Sequence, residues 1–164
     1  MPRTLAALVA VLTLAAAPAF AGIADSPLPA LIAGETTFHL YSVPGVIDSG
    51  GLATYFSCTS TDTAQVQVCV EVFTSSGFQI SNDCSSTSVS RSVAPGATVL
   101  FGTNAAAWVS VDSVVGGSTK GSARIVATSK KLACTAFVAD LANTPPTSAW
   151  QLTIIAKTKQ KAAN

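Results

Sequence analysis

The sequence has few charged residues and almost no net charge. Charged residues make up 10% of the 164-residue chain, whereas soluble domains usually contain about 25%. Lysine and arginine number nine, aspartate and glutamate number eight, and the formal net charge is +1. A nearly neutral surface lacks the positive field that attracts nucleic acids or anionic membranes, so we expect neither as a partner.

Histidine and methionine are also scarce, which limits metal chemistry. A blue-copper site needs two histidines, a cysteine and usually a methionine, but the chain has only His39 and Met1. The cysteines form no Cys-x-x-Cys pair of the kind that binds zinc. No Asp-x-Asp-x-Asp-Gly run is present to bind calcium. The sequence therefore predicts no metal and no other cofactor.

Recognisable catalytic motifs are missing as well. No serine lies in a Gly-x-Ser-x-Gly motif, and no two carboxylates lie close together in sequence as a candidate glycosidase pair. His39 belongs to a predicted strand, on the face opposite Phe38 and Leu40, and we interpret it as a structural residue. We expect the protein not to be an enzyme, and a hydrolase built around His39 is the least favoured hypothesis.

Helical patterns are absent after residue 21, and short strand patterns take their place. The segment QVQVCVEVF (65–73) carries valine at alternate positions and is the strongest strand candidate. About eight such strands, separated by turns every 8 to 15 residues or so, predict an all-β fold. We predict a single antiparallel β-sandwich, braced by disulfides. As a class, this pattern is similar to the immunoglobulin-like and fibronectin-like sandwiches of exported bacterial proteins.

The amino-terminal segment has the pattern of a secretory signal peptide. Arg3 is followed by an apolar run from Leu5 to Ala17 and by the small-residue site Ala19-Phe20-Ala21. The run is shorter than the roughly 20 residues that a membrane-spanning helix needs. We predict cleavage before Gly22, no membrane span in the mature chain, and a secreted location, either periplasmic or extracellular.

Four segments follow from these patterns. Residues 1–21 form the signal peptide, 22–35 a lead-in rich in proline and glycine, 36–157 the β-sandwich domain, and 158–164 a loose tail. The alternating lysines near the end belong either to this tail or to a guarded sheet edge. They are Lys157, Lys159 and Lys161.

The cysteines raise the question of why one of them lies on the polar side of a valine strand. Their positions are 58, 69, 84 and 134. An even number in an exported chain predicts disulfides. The turn at 74–77 brings Cys84 back toward Cys69 on the exposed face of a hairpin. We favour Cys69–Cys84 with Cys58–Cys134, while a Cys58–Cys69 bridge across the turn at 59–64 remains an alternative.

Two functional hypotheses remain beside the hydrolase. The first is an exported, non-enzymatic structural or interaction module, whose unknown partner is an extracellular protein or a glycan. The second is a small carbohydrate-binding module, with Trp108, Tyr41 and Tyr55 as candidate binding residues. We expect Trp150 in the core, because Leu152 and Ile154 alternate with it on one face.

Arg124 is the remaining residue of interest, because it lies in the middle of a predicted strand. A buried arginine requires a carboxylate partner. Glu71, Asp112 and Asp140 are the candidates, and we expect a structural ion pair rather than an anion-binding site.

Overall fold

The computed structural model of the chain describes residues 23, 26–79, 84, 89–117 and 120–157. The predicted signal peptide and the predicted tail 158–164 lie outside the described residues. The described part contains no helix. It therefore contains no apolar helix long enough to cross a membrane. The prediction of an all-β fold is confirmed.

The described residues contain eleven strands, and three of these are only two residues long. The other eight match the predicted number. In chain order the strands are β1 (Phe38–Val46), β2 (Asp48–Ser49), β3 (Leu52–Ser60), β4 (Val66–Thr74), β5 (Arg91–Val93), β6 (Thr98–Gly102), β7 (Ser113–Val114), β8 (Gly121–Ala127), β9 (Leu132–Asp140), β10 (Ala149–Gln151) and β11 (Ile155–Ala156).

The strands form two sheets that pack face to face. The first sheet has the order β11-β1-β8-β4-β5, and the second has the order β10-β9-β3-β6-β7, with β2 beside β3. Among the described strands, all pairs are antiparallel except β6 with β7. The predicted disulfide-braced β-sandwich is therefore confirmed.

The strand order differs from that of a constant-type immunoglobulin domain. In that domain the first two strands are neighbours in one sheet. Here β1 and the next long strand, β3, lie in different sheets. The likeness to immunoglobulin and fibronectin domains thus concerns the two-layer architecture alone.

Alternating apolar side chains fill the space between the sheets. The alternation of β4 puts its valines on the inner face and Gln67, Cys69 and Glu71 on the outer face. Ile125 of β8 and Phe56 and Phe101 of the second sheet meet these valines and are fully buried. The valines of β4 in this core are Val66, Val68, Val70 and Val72.

The outer face of the first sheet is partly covered, contrary to the expectation that Cys69 lies on an exposed face. Cys69 and Cys84 are both buried there and pack with Leu31 and Val126. Leu31 belongs to the lead-in, so this part of the lead-in packs against the sheet. The cysteine on the polar side of β4 is buried because the lead-in forms a small second core on that side.

A bulge in β1 changes the facing predicted for its residues. The register with β8 shifts between His39 and Tyr41, which places His39 and Ser42 on the same outer face. Tyr41 turns inward, and its hydroxyl donates a hydrogen bond of 2.6 Å to the carbonyl oxygen of Leu132. Simple alternation along residues 36–43 predicts His39 and Tyr41 on one face of the strand, and this prediction was wrong.

The segment from Ala149 to Ala156 closes one side of the sandwich. Its first part, β10, pairs with β9 of the second sheet, and its last part, β11, pairs with β1 of the first sheet. Leu152 and Ile154 pack against the core between them. Trp150 is 48% exposed, so its predicted core position was wrong, because an edge strand leaves its side chain uncovered.

Candidate functional site

Both predicted disulfides are present, in the favoured pairing. Cys58 and Cys134 lie directly opposite each other on β3 and β9. Cys69 on β4 is joined to Cys84. Cys58 and Cys134 are 76 positions apart in sequence and lie on neighbouring strands, whereas Cys69 and Cys84 are 15 positions apart. Because all four cysteines are bonded, the fold offers no free thiol.

Arg124 and Glu71 form a buried ion pair on the outer face of the first sheet. Their side chains are 1% and 2% exposed, and Arg124 Nε contacts Glu71 Oε2 directly. The amide of Gln79 donates a hydrogen bond of 2.7 Å to the other carboxylate oxygen of Glu71. The ion pair predicted for Arg124 is thus present, and Glu71 is its partner.

The remaining guanidinium nitrogens of Arg124 hold the lead-in against the sheet. Nη1 donates to the carbonyl oxygen of Ser26 at 2.9 Å, and Nη2 donates to that of Pro27 at 2.7 Å. The guanidinium carbon lies 5.3 Å from the centre of the Phe73 ring, within the range of a cation–π contact. With these contacts Arg124 has a structural role, because its hydrogen-bonding capacity is directed into the protein.

His39 is half-buried and lies beside Ser42, so the two residues have the proximity that a base and a nucleophile need in a hydrolase. Its Nε2 atom is 3.0 Å from Ser42 Oγ and 3.2 Å from the carbonyl oxygen of Tyr41. Burial lowers the pKa of His39, and the positive charges of Lys157 and Arg124 lower it further. Within the described part of the chain, no carboxylate bonds to the imidazole to orient it.

The Tyr41 contact favours one direction for the His39 hydrogen bonds. A carbonyl oxygen can only accept, so this contact is a hydrogen bond in the tautomer that carries its proton on Nε2. In that tautomer Nε2 cannot remove a proton from the Ser42 hydroxyl. The pair then has the proximity of a Ser–His dyad without the proton arrangement that activates the serine.

The three predicted sugar-binding aromatics do not form an exposed row. Tyr55 is fully buried on the outer side of the second sheet, with its ring centre 5.2 Å from Trp108 and 5.3 Å from Phe137. The Trp108 indole N–H donates to the carbonyl oxygen of Asp140 at 2.7 Å. Tyr41 faces the core. These residues serve packing, and a stacking platform made of them is absent.

The hydroxyl of Tyr55 is buried and has no hydrogen-bond partner among the described residues. Burial raises the pKa of Tyr55, and the negative charges of Asp48 and Asp140 raise it further. Tyr55→Phe should therefore leave the unfolding free energy unchanged or increase it by up to about 1 kcal/mol, because it removes an unsatisfied group.

Tyr41→Phe is the matched control for this substitution, because it deletes a hydroxyl that donates at 2.6 Å. It should lower the unfolding free energy by about 1 kcal/mol. Urea denaturation of both variants gives the comparison. A loss in Tyr55→Phe equal to that in Tyr41→Phe would contradict the unsatisfied environment of Tyr55.

The aspartates of the turns are engaged in local hydrogen bonds. The carboxylate of Asp140 accepts from the backbone N–H groups of Asn143, Thr147 and Ser148, and from the side chains of the first two. These bonds, that of Ser148 first, hold the pKa of Asp140 well below its usual range. Asp140 thus organises the loop after β9.

Asp62 permits a test of the same kind of contact. The Ser129 hydroxyl, 2.5 Å from Asp62 Oδ2, and then the Thr63 N–H lower the pKa of Asp62 to about 2. These contacts stabilise the folded state, because they lower the pKa of Asp62 relative to the unfolded chain. Their contribution to stability is fully present above the pKa of the unfolded chain and is lost as the pH falls through about 2.

Carboxyl NMR titration should place the Asp62 midpoint at about 2. Ser129→Ala should move it toward the ordinary value. Lys131→Ala should move it less, because Lys131 is exposed and its Nζ lies 3.3 Å from Asp62 Oδ1. A midpoint that Ser129→Ala leaves in place would exclude the hydroxyl as the main cause.

Two surface depressions in the described part of the chain bring together no set of side chains suited to catalysis. One depression is lined by residues 105–111 and Val114, all uncharged. Another contains Arg91 and Asp112, but Arg91 Nε donates to the Asp112 carbonyl, and the Asp112 carboxylate accepts the Leu100 N–H. Among the described residues, no three His, Cys, Asp or Glu side chains lie close enough together to hold a metal ion.

No protein-family model, curated protein or solved structure matches this chain.

Proposed function

We propose that the chain is an exported, non-enzymatic structural or interaction module. One observation carries the proposal: the side chains most able to take part in catalysis are engaged in contacts within the fold. Arg124 and Glu71 neutralise each other, His39 Nε2 lies 3.2 Å from the Tyr41 carbonyl oxygen, and the cysteines are bonded. What the sandwich presents to solvent is mostly uncharged, and this suits contact with another molecule better than catalysis.

Two observations support export. The predicted signal peptide, residues 1–21, has the charge, length and cleavage site expected of one. Two disulfides within one chain form and persist in oxidising compartments. We therefore propose a secreted or periplasmic location in a bacterial cell, and an extracellular protein or glycan as the partner.

The hydrolase hypothesis provides the test of the non-enzymatic part. The folded chain and its Ser42→Ala variant are incubated with ester, peptide and glycoside substrates. We expect the same background rate from both, because the His39 imidazole donates rather than accepts at Nε2. Turnover that Ser42→Ala abolishes, with the fold retained by circular dichroism, would refute the proposal.

A carbohydrate-binding role has one specific observation in its favour. Trp150 on the edge strand β10 is 48% exposed, and Gln151 beside it is exposed too. An exposed indole is a suitable surface for stacking on a sugar ring. A glycan array probed with the chain and with Trp150→Ala distinguishes the two roles. Binding that Trp150→Ala removes, while Phe78→Ala at another exposed aromatic retains it, would establish a glycan as the partner.

A further inference from the structure

The two disulfides lie in different surroundings. Cys69 and Cys84 are both buried beneath the lead-in, in the cluster with Leu31 and Val126. Cys58 is fully buried in the main core, whereas its partner Cys134 is only partly buried. Cys134 is therefore the one disulfide cysteine that is open to the surface.

An open surface cavity of about 410 Å³ is lined in part by Cys134. Thr135 of the same strand and the segment 151–154, which crosses from the second sheet to the first, line the rest of it. The residues that line it include the apolar Leu152 and Ile154, which also pack against the core, and the polar Thr135 and Thr153. Such a lining suits a small molecule with both apolar and polar parts.

The sheet register determines where this cavity lies relative to the disulfide. Strand β10 ends at Gln151, opposite Phe137 of β9. At Cys134, three positions further along β9, that edge has no strand partner, because the chain has turned away to join the first sheet at Ile155. Cys58 flanks Cys134 on the opposite side, in β3. The cavity and Cys58 thus lie on opposite sides of Cys134.

We propose that Cys134 is a modification site at which a low-molecular-weight thiol exchanges with the Cys58–Cys134 disulfide. A thiolate attacks one sulfur of a disulfide and displaces the other. Attack along the sulfur–sulfur axis needs space on the side of Cys134 away from Cys58, and the cavity lies along that edge of β9. A protein thiol is a poorer fit, because the crossing segment borders the cavity.

The exchange balances without a further reactant. The incoming sulfur forms a bond with Cys134 Sγ, the bond between Cys134 and Cys58 breaks, and Cys58 leaves as a thiolate. The proton lost by the attacking thiol is returned to Cys58. The product is a mixed disulfide at Cys134 and a buried free thiol at Cys58. The sandwich stays closed, because β3 and β9 remain paired from Leu52 to Ser60.

Exchange with reduced glutathione tests this proposal. The folded chain is incubated without denaturant, quenched in acid, alkylated and mapped by peptide mass spectrometry. We expect glutathione on Cys134, a free thiol at Cys58 and an intact Cys69–Cys84 bridge. The Cys58–Cys134 bridge should open at least about tenfold faster than the other. Glutathione on Cys58 instead of Cys134, or equal rates for the two bridges, would overturn the proposal.

A pair of variants separates access from stability. Thr153→Trp narrows the cavity and should slow the opening of Cys58–Cys134 by about tenfold without affecting Cys69–Cys84. Ser75→Trp, on an exposed turn, should change neither rate. Thr153→Leu is the milder variant should the tryptophan prevent folding. Equal slowing of both bridges, or no slowing of either, would contradict control by the cavity.

Discussion

Glu71→Leu should destabilise the fold by about 3 to 5 kcal/mol, because it leaves the Arg124 guanidinium buried without its counter-charge. The two side chains are 1% and 2% exposed, so water cannot replace the lost partner. The lead-in should loosen as well, since it is held through Arg124. Urea denaturation measures the loss, and hydrogen exchange at residues 31–35 reports on the lead-in.

The double variant Glu71→Leu/Arg124→Met separates charge burial from packing. Removing both charges should recover most of the unfolding free energy lost in Glu71→Leu, because apolar side chains of similar volume replace a buried pair well. Lys131→Ala, which removes the exposed partner of Asp62, should leave stability nearly unchanged. A double variant as unstable as Glu71→Leu would show that packing, and not the stranded charge, causes the loss.

Cys58→Ala/Cys134→Ala should cost more stability than Cys69→Ala/Cys84→Ala. The bridges close segments of 76 and 15 positions, and the chain-entropy relation gives losses of about 4.5 and about 3 kcal/mol. Urea unfolding with its m-values measures both and reports any change in the compactness of the unfolded chain. The opposite order would mean that packing of Cys69 and Cys84 against Leu31 and Val126 outweighs chain entropy.

The main features of the sandwich could be predicted because they depend on local patterns. Strict alternation in β4 identifies a strand with one buried face whatever covers the other. The turn before Phe78 could be predicted from Gly77, because glycine readily adopts positive φ. In the structure the φ of Gly77 is +85°. The same turn brings Cys84 back toward Cys69, so that bridge could be favoured from local sequence. The Cys58–Cys134 bridge joins strands 76 positions apart, so local sequence left a Cys58–Cys69 bridge as an alternative to it.

The covering of the outer faces could not be predicted, because it depends on distant backbone contacts. Arg124 binds carbonyl oxygens of Ser26 and Pro27, and every residue has such an oxygen, so no side-chain pattern reveals the contact. The bulge after His39 lies in a segment without glycine or proline to signal it. This bulge brings Ser42 to His39, and sequence alternation alone would keep the two apart.

Trp108 and Trp150 show the same limit in the aromatic residues. Trp108 follows a short run of alanines and looks exposed by composition, but its indole N–H finds the carbonyl of Asp140. Trp150 has the alternation of a core strand. Because the chain crosses to the other sheet after Gln151, this strand becomes an edge. The exposure of both residues is set by tertiary placement and not by local sequence.

Nitrogen-15 NMR of the His39 imidazole tests the non-enzymatic account most directly. The chain has one histidine, so its ring signals need no assignment. The account predicts that the neutral ring carries its proton on Nε2 and that Ser42→Ala leaves this tautomer unchanged. A neutral ring protonated on Nδ1, with Nε2 accepting a hydrogen bond from Ser42, would contradict it.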